Sequence, residues 1–379
     1  MAKRVLLVNK YYAPSTGGIE TAVKQYAEWY RELGYDVTVL CCASGRMLRS
    51  REETIEGTRV LRAASLGNIL SVPISITFFW HFLAQLLSTN IVHINLQFPS
   101  ASLALSLTQW LLKGKSVVSY HCDVYRQRNL KKITYIFDRF ALRNADLIIT
   151  GSPALQERSE VLSRINRKIS ILPYSINMEH VASCLEHSNT TKLPPHFYQN
   201  GYCVFFGRLV SYKGTKTLDE AFRALMSRHS PINLVIFGTG PEEARLQKLA
   251  KDFPNNVHFI NTFISDIEKY NLINSSKLFL FPSIYYSEAF GIAQLDAMAC
   301  GKPIINCWLE TGVNWVAPDK VAAVTIDPSN PEQLAVAIEE LQNNEMRSGQ
   351  LGEAGLARCK DIFSEAAVRN KFNALIRDL

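Results

Sequence analysis

Short apolar runs alternate with amphipathic segments along most of the chain. Arg4–Val8 is an apolar run bounded by charged and turn residues, which predicts a buried strand. Apolar residues at helical spacing follow from Ile19 to Leu33, and Gly34 gives the predicted helix a C-terminal stop. Because buried strands that alternate with helices are typical of parallel sheets, the pattern predicts an α/β fold.

Two such series follow one another, separated by a polar, proline-containing stretch from His187 to Gln199. The first series has the further predicted strands Val37–Cys41, Ile91–Ile94, Val117–Tyr120, Leu147–Thr150 and Ile169–Leu172. The second has the predicted strands Tyr202–Phe206, Leu234–Phe237, Val257–Ile260, Leu278–Phe281, Pro303–Cys307 and Ala323–Ile326. Its predicted helices include Lys216–Arg228, Pro241–Lys251, Ile267–Asn274, Ala293–Ala299 and Pro331–Asn343, and the final stretch Ser364–Leu379 predicts an amphipathic helix. Two series of similar size predict two Rossmann-like domains.

Length and composition fit a two-domain globular protein. The chain has 379 residues, 47% hydrophobic and 20% charged, so neither a disordered nor a fibrous protein is expected. Its eight cysteines form no C-x-x-C pair, which argues against a disulfide scaffold, a zinc ribbon and thioredoxin-like chemistry. The first residues lack the long apolar core of a secretory signal. These features favour a reducing, cytoplasmic location.

One long segment, Ile69–Leu87, contains no Asp, Glu, Lys or Arg. Its 19 residues reach the length of a minimal membrane span, but Pro73 and several polar residues interrupt it. A buried core helix and a helix lying in a membrane interface are the alternatives, the second because Phe and Trp are typical interfacial anchors. The sequence leaves these three interpretations open.

The excess of positive over negative charge lies entirely in the first half of the chain. Residues 1–175 hold 22 Lys and Arg against 12 Asp and Glu, a net charge of +10, whereas the remainder has a net charge of −3. No aromatic–basic repeats accompany these charges, so a nucleic-acid partner is not expected. Basic side chains beside apolar segments favour an anionic membrane surface instead. The cations in question are Arg46, Arg49, Arg51, Lys113, Lys115, Arg126, Arg128, Lys131 and Lys132.

Glycine-containing loops follow several predicted strands. Gly17 and Gly18 open the first helix, where a backbone without side chains allows close approach to an anion. Gly238 and Gly240 form a similar turn in the second series, and neither loop has the G-x-G-x-x-G dinucleotide pattern. An ordinary strand–helix turn is the alternative for the first loop, and the second is a generic turn that carries little weight by itself.

Charged residues follow other predicted strands. Arg208 and Lys213 stand beside glycines and could bind a diphosphate, although two loop cations are more often solvated surface. Glu288 lies in the loop after Pro282 and precedes Ala289-Phe290-Gly291, and Asp296 lies on the following helix. His121 and Asp123 end a strand of the first series, where open α/β sheets bind ligands.

The order of these motifs resembles that of the retaining GT-B glycosyltransferases of family 4. The motifs, in chain order, are G-G-I-E, H-x-D, G-R-L, K-G, G-x-G-P, S-E-A-F-G and D-A-M-A-C-G-K-P, and they span nearly the whole chain. The resemblance implies a GT-B fold: two facing Rossmann-like domains with a cleft. It implies an acceptor domain at residues 1–175, a nucleotide-sugar domain at 176–363 and a C-terminal helix, 364–379, that packs back on the first domain.

The resemblance also implies roles for individual residues. Arg208 and Lys213 would neutralise the donor diphosphate, Glu288 would bind sugar hydroxyls, and Asp296, in place of the usual Glu, would hold the ribose. His121 would face the sugar, and Asp123 would lie on the acceptor side. The expected catalytic residues are His121, Glu288, Arg208 and Lys213. Donor contacts are further expected from Gly17, Gly18, Gly238, Gly240, and the backbone of Ala289, Phe290 and Gly291.

The expected activity is transfer of a hexosyl unit from a nucleotide-sugar to a lipid-linked saccharide in surface-polysaccharide assembly. Thr311–Val316 resembles family members that transfer mannose from GDP donors, which favours a mannosyl unit. The chain has no D-x-D motif, and neither metal nor cofactor is expected. A GT-B epimerase or phosphorylase and a catalytically silent binding subunit are the alternatives. The expected location is cytoplasmic, at the membrane face.

Overall fold

The chain folds into two compact units in the computed structural model. The structure describes residues 3–15, 17–69, 72–96, 98–123, 128–187 and 193–379, without the side chains of residues 128–133. The first unit comprises Met1–Tyr174 and Arg369–Leu379, and the second comprises Ser175–Val368. The predicted boundaries lay after residues 175 and 363. Arg126 and the side chains of Arg128, Lys131 and Lys132 lie outside the described residues.

A parallel sheet forms the centre of the first unit. Its order is β12-β11-β10-β9-β1-β2-β5-β4, and β4 alone in this described sheet runs antiparallel to its neighbour. The strands are β1 (Arg4–Val8), β2 (Asp36–Cys42), β3 (Arg46–Met47), β4 (Arg51–Ile55), β5 (Thr58–Ala63), β6 (Ser65–Leu66), β7 (Asn68–Ile69), β8 (Val72–Pro73), β9 (Ile91–Asn95), β10 (Lys115–Tyr120), β11 (Leu147–Thr150) and β12 (Ile169–Ile171). The short strands β3 with β6, and β7 with β8, form two small antiparallel pairs.

Helices cover the first sheet because each presents an apolar stripe to it. The α1 helix buries Tyr26, Trp29 and Tyr30 at the helical spacing seen in the sequence. The helices of this unit are α1 (Gly18–Glu32), α2 (Thr77–Leu86), α3 (Pro99–Thr108), α4 (Arg128–Asn144) and α5 (Pro153–Arg158). A short 3-10 turn, Gln109–Leu111, follows α3, and another, Leu162–Arg164, follows α5.

In the described part of the uncharged segment Ile69–Leu87, the helix is the ten-residue α2, and the short strand β8 precedes it. Phe78, Phe82 and Leu86 are buried in the core, whereas Trp80 on the same helix is 69% exposed. Along the parts of the chain that the structure describes, no helix has both the length and the apolar character needed to cross a membrane. One face of α2 therefore packs in the core, and the opposite face exposes an aromatic side chain to solvent.

The second unit repeats the same architecture. Its parallel sheet has the order β15-β14-β13-β16-β17-β18. The strands are β13 (Cys203–Phe206), β14 (Leu234–Phe237), β15 (Val257–Ile260), β16 (Leu278–Phe281), β17 (Ile304–Cys307) and β18 (Ala323–Ile326). The helices are α6 (Met178–Glu186), α7 (Pro195–Asn200), α8 (Thr215–Ser227), α9 (Glu243–Asp252), α10 (Asp266–Ser275), α11 (Ala293–Ala299), α12 (Gly312–Val316), α13 (Pro331–Asn343) and α14 (Glu345–Arg358). The last helix of the chain, α15 (Glu365–Arg377), begins in this unit and continues into the first.

The predicted α/β fold, with parallel sheets in two domains, is confirmed. The predicted strands all form, within a residue or two of their predicted ends. Sequence reasoning missed the β4–β5 hairpin, whose charged edge strand lacks an apolar run, and it missed α14.

The last helix, α15, completes the core of the first unit. Phe372 is fully buried, and its ring centroid lies 4.9–5.5 Å from those of Tyr26, Trp29 and Tyr30 on α1. On the surface beside it, Arg369 pairs with Glu32 at 3.1 Å. These aromatic contacts, more than the exposed ion pair, hold the helix in place.

We expect Phe372→Ala to destabilise the first unit by about 3–5 kcal/mol, because it leaves a cavity among three aromatic rings. Urea unfolding, followed by tryptophan fluorescence, measures the loss. Lys371→Ala, at an exposed position of the same helix, is the control and should change stability by about 0.5 kcal/mol or less. Equal effects of both substitutions would contradict this account of the helix.

Candidate active site

Both sheets reverse their strand order at one point. In the first unit this point lies between β1 and β9, and in the second between β13 and β16. Ligands of open α/β sheets bind outside the carboxyl ends of the strands at such points, because the flanking loops diverge there. The loops after these strands carry most of the residues that the sequence singled out.

Lys213 and Glu288 form a close ion pair in the second unit. Lys213 follows β13 and Glu288 follows β16, so the pair bridges the loops on either side of the reversal point. The two side chains are only 15% and 12% exposed, and the Lys213 ammonium lies 4.9 Å from the centroid of the Phe281 ring. Within the described residues, Glu288 Oε2 accepts no hydrogen bond that would supplement this pair. The predicted diphosphate cation and the predicted sugar ligand thus neutralise each other.

Backbone contact between the two loops fixes this pair. Gly214 has a φ of 75°, and a Cβ at this position would lie 1.9 Å from the carbonyl oxygen of Pro282. The amide of Ile284 also donates to the carbonyl of Tyr212 at 2.8 Å. Only glycine allows this approach, so Gly214 is required for the loops to bring Lys213 and Glu288 together.

Arg208 is exposed at the end of β13 and forms no ion pair with any carboxylate of the described chain. Its guanidinium donates to the Tyr212 hydroxyl at 2.8 Å, which orients the fork without neutralising it. Sequence reasoning missed Tyr212, although a tyrosine four residues after the arginine was the available signal. Arg208 is therefore a cation without a carboxylate partner in the described chain, and it lies on the same loop as Lys213.

Gly238 and Gly240 have a structural role in the fold. Their φ values are 137° and 156°, and Cβ atoms at these positions would lie 1.9 Å from the carbonyl oxygen of Gly207 and 2.3 Å from that of Leu209. The loops after β13 and β14 therefore pack backbone against backbone. Their predicted contact with a donor stays a prediction.

The segment Ala289–Gly291 is held from several sides. The Ala289 carbonyl accepts from the amide of Gly312 at 2.9 Å, and the Phe290 ring is buried against Trp315 and Phe363. Gly291 has a φ of 82°, which favours glycine. With the Phe290 side chain in the core, the backbone is the part of this segment that remains for a ligand.

Asp296, the predicted ribose ligand, is already engaged by α10. It lies on the seven-residue helix α11 and accepts from the Tyr270 hydroxyl at 2.9 Å, with the Lys269 ammonium at 3.4 Å. Burial, and then the neighbouring Asp296 carboxylate, raise the pKa of Tyr270. Burial lowers the pKa of Lys269, but Asp296 and Asp266 outweigh it and raise the pKa above its ordinary value. A ribose would have to share the carboxylate with these two groups.

His121 lies at the carboxyl end of the first sheet with both ring nitrogens occupied. Nδ1 lies 2.7 Å from the Tyr174 hydroxyl, and Nε2 lies 2.9 Å from Asn95 Oδ1, so Nε2 carries the proton that this amide oxygen accepts. Burial lowers the pKa of His121 to about 4, and the ring is neutral at physiological pH. Sequence reasoning missed Asn95 and Tyr174, although an asparagine at the end of a buried strand is itself a signal.

Asp123 serves as an anchor within the first unit. Its carboxylate is buried and accepts from the Tyr120 hydroxyl, from Ser159 Oγ at 2.7 Å and from the Glu160 amide at 3.3 Å. These bonds tie the end of β10 to the segment after α5. The predicted acceptor contact through this carboxylate stays a prediction.

Gly17 precedes α1 in extended backbone, a conformation open to any residue, while Thr16 before it lies outside the described residues. Among the described residues, a Cβ at Gly17 would meet the flexible Glu20 carboxylate, at 2.3 Å. The fold itself therefore gives little reason for glycine here, and close approach of a ligand at Gly17 and Gly18 stays a prediction. In the part of the chain that the structure describes, no group of three or more His, Cys, Asp or Glu side chains is placed to hold a metal ion.

Two Rossmann-like units with parallel sheets are the components of a GT-B fold, and similar solved structures share that fold. Sucrose-phosphate synthase of Thermosynechococcus elongatus covers 99% of this chain and 98% of its own, with a TM-score of 0.79 and 19% identity. Anabaena HepE in complex with UDP covers 100% of both chains, with a TM-score of 0.73 and 17% identity. The predicted GT-B fold is confirmed.

Sequence comparisons identify the family. Residues 16–180 match Glycosyltransferase Family 4, and residues 194–358 match Glycosyl transferases group 1. O-antigen chain mannosyltransferase C of Escherichia coli is 28% identical over 95% of this chain and 94% of its own length. D-rhamnosyltransferase WbpZ of Pseudomonas aeruginosa is 30% identical over 95% and 92%. The chain belongs to the family 4 glycosyltransferases, and the predicted glycosyltransferase activity is confirmed.

Two buried histidines predict an acid-sensitive first unit. Burial lowers the pKa of His93 to about 3 and that of His121 to about 4, below the ordinary value of about 6.5. As pH falls from about 6.5 towards these values, only the unfolded chain binds the protons, so stability falls by up to about 1.4 kcal/mol per pH unit for each histidine. Urea midpoints at pH 7.5 and 5 measure this loss.

His93→Gln removes one of these groups, and its midpoint should fall less between the two pH values than that of the unmodified protein. His187→Gln, at an exposed position, is the control and should leave the pH dependence unchanged. An unchanged pH dependence in His93→Gln would refute the assignment.

Proposed function

We propose that the protein is a retaining hexosyltransferase that transfers a mannosyl or related unit from a nucleotide-sugar to a lipid-linked saccharide during surface-polysaccharide assembly. The observation that carries the proposal is the Lys213–Glu288 pair at the reversal point of the second sheet, with the uncompensated Arg208 on the same loop. Cations there suit a leaving diphosphate, and a carboxylate beside them suits sugar hydroxyls.

The reaction breaks the bond between the anomeric carbon of the sugar and the diphosphate oxygen. The acceptor hydroxyl forms the new glycosidic bond on the same face, its proton passes to the departing phosphate, and the nucleoside diphosphate leaves. Arg208 and Lys213 stabilise the negative charge that develops on the diphosphate, which lowers the barrier most if they are already in position. A neutral His121 would face the sugar without adding charge, and a hydrogen bond from its ring to the sugar would replace the one to Tyr174 or Asn95.

The relatives support the choice of sugar and pathway. One is named an O-antigen chain mannosyltransferase and another a D-rhamnosyltransferase, and both align over nearly their entire length. Solved structures of HepE are complexes with UDP and with UDP-glucose, in agreement with a nucleotide-sugar donor. We place the donor in the second unit and the acceptor in the first.

A lipid-linked acceptor implies that the enzyme acts at the surface of a membrane. The first half of the chain has a net charge of +10, and its surface exposes large apolar side chains such as Trp80 and Trp110. Both features favour peripheral association with an anionic leaflet, at about 1 kcal/mol for each cation near the surface.

A donor panel tests the activity. Purified protein is offered GDP-, UDP- and ADP-sugars with lipid-linked saccharide acceptors, and we expect transfer from a GDP-hexose with the donor's anomeric configuration kept, as read by NMR of the product. Arg208→Gln should lower kcat/KM by roughly a hundredfold, because a charged hydrogen-bond donor to the leaving group is lost. Arg228→Gln, at a distant exposed ion pair, is the control. Transfer by no donor in the panel would refute the proposal.

The Lys213–Glu288 pair predicts that substitutions of its two residues affect nucleotide binding differently. Lys213→Gln should weaken GDP binding by roughly tenfold to a hundredfold, because it removes a charged donor to the diphosphate. Glu288→Gln should leave GDP binding equal or tighter, because it frees Lys213 from its competing carboxylate, and yet it should lower kcat strongly. Isothermal titration calorimetry and initial rates measure the two effects. Equal weakening of GDP binding by both substitutions would contradict the competition.

A further inference from the structure

A groove in the first unit runs between the second half of α4 and the 3-10 turn at Leu162–Arg164. Its volume is about 480 Å³, and three arginines, Arg139, Arg143 and Arg164, line it. Among the described residues, none of the predicted donor or catalytic residues contributes to its lining. The groove is therefore distinct from the predicted donor and catalytic residues, and Asp123 of the predicted acceptor side bonds one of its walls without lining it.

The described lining of the groove carries a net positive charge, with three arginines and one glutamate. Along the described chain, none of the three arginines forms an ion pair with a carboxylate, and Glu160 is the one acidic residue in the lining described. The Nε of Arg139 is buried and has no hydrogen-bond partner there. A buried donor without a partner costs free energy, so an anion that accepts from it would be favoured.

Apolar side chains line and flank the same groove. Ile136 and Phe140 of α4 line it and are 66% and 45% exposed. The neighbouring helix α3 and its 3-10 turn expose Leu107 and Trp110 by 60% and 80%. Exposed apolar and aromatic groups next to cations are typical of surfaces that lie in a membrane interface.

The groove is pre-formed because both walls are fixed. Ser106 Oγ on α3 donates to the Phe137 carbonyl at 3.3 Å, and Gln109 donates to the Asn144 carbonyl at 2.9 Å, which hold α4. On the other wall, Asp123 binds Ser159 and the Glu160 amide. A ligand would not have to order these walls when it binds.

We propose that this groove binds the phosphate of an anionic membrane phospholipid, with Ile136 and Phe140 in contact with the start of its acyl chains. The inference rests on the proposed membrane association and assigns it to particular residues. A small soluble phosphate would satisfy the arginines but leave the apolar side chains in water, whereas a lipid satisfies both.

Vesicle sedimentation tests the charges. Binding to phosphatidylcholine vesicles with and without phosphatidylglycerol is compared for the unmodified protein and the double variant Arg143→Gln/Arg164→Gln, both at exposed positions. We expect the double variant to bind phosphatidylglycerol vesicles roughly tenfold to thirtyfold more weakly. The charge-matched control Arg4→Gln/Arg59→Gln, elsewhere on the first unit, should weaken binding by less than about threefold. Equal loss in both double variants would overturn the groove assignment.

A second pair of variants tests the apolar contact. Ile136→Ser/Phe140→Ser should weaken vesicle binding, whereas Leu48→Ser/Leu66→Ser, which removes comparably exposed apolar side chains of the same unit, should not. Circular dichroism and urea midpoints establish that each variant is folded. Equal binding by the two apolar variants would overturn the proposed acyl contact.

Soluble ligands distinguish the sources of the phosphate. Short-chain phosphatidylglycerol should compete with vesicles, and inorganic phosphate at equal concentration should not. Competition by geranyl diphosphate alone would assign the groove to the acceptor lipid and overturn the proposal.

Transfer to a water-soluble acceptor, measured without vesicles, separates this inference from the proposed function. The groove variants should retain that transfer. If the unmodified protein transfers no sugar while the groove variants still lose vesicle binding, the proposed function fails and the groove assignment stands.

Discussion

The contact of Gly214 with the carbonyl of Pro282 is the constraint on which the candidate site depends. It brings together two loops that leave the sheet on opposite sides of the strand-order reversal, and so it places an ammonium against a carboxylate with little solvent between them. A buried pair of this kind gains little net stability, because desolvation offsets most of the attraction. The pair therefore serves to hold each charged group in position before a ligand of opposite charge binds.

The sequence was sufficient for the strands and for the family, but not for the partners of individual side chains. Continuous apolar runs predicted the buried parallel strands, since both faces of such a sheet are covered. The β4 strand was not predicted because it is an edge strand with the charged sequence Arg51-Glu52-Glu53. Glu52 and Glu53 pair with arginines of β5 across the hairpin. Edge strands need no apolar run, and periodicity cannot identify them.

The candidate site shows the same limit. Chain position placed Asp123 and His121 at the carboxyl end of a strand and Asp296 on a helix, but the groups that bind these side chains come from distant parts of the chain. Tyr270 binds Asp296, Ser159 binds Asp123, and Tyr174 binds His121. Such pairings depend on tertiary packing, so no spacing rule reveals them. These bonds also show that a residue of a family motif can stabilise the fold.

The position of Phe372 has a consequence for biosynthesis. Its ring fills a space among α1 aromatics of the first unit, yet the ribosome adds it only after the entire second unit has been made. Until then the emerging first unit has an unfilled pocket in its core and exposes apolar rings to chaperones and proteases. The second unit is one continuous stretch of chain, so its folding does not depend on residues synthesised after it. The half that is synthesised first is thus the half that matures last.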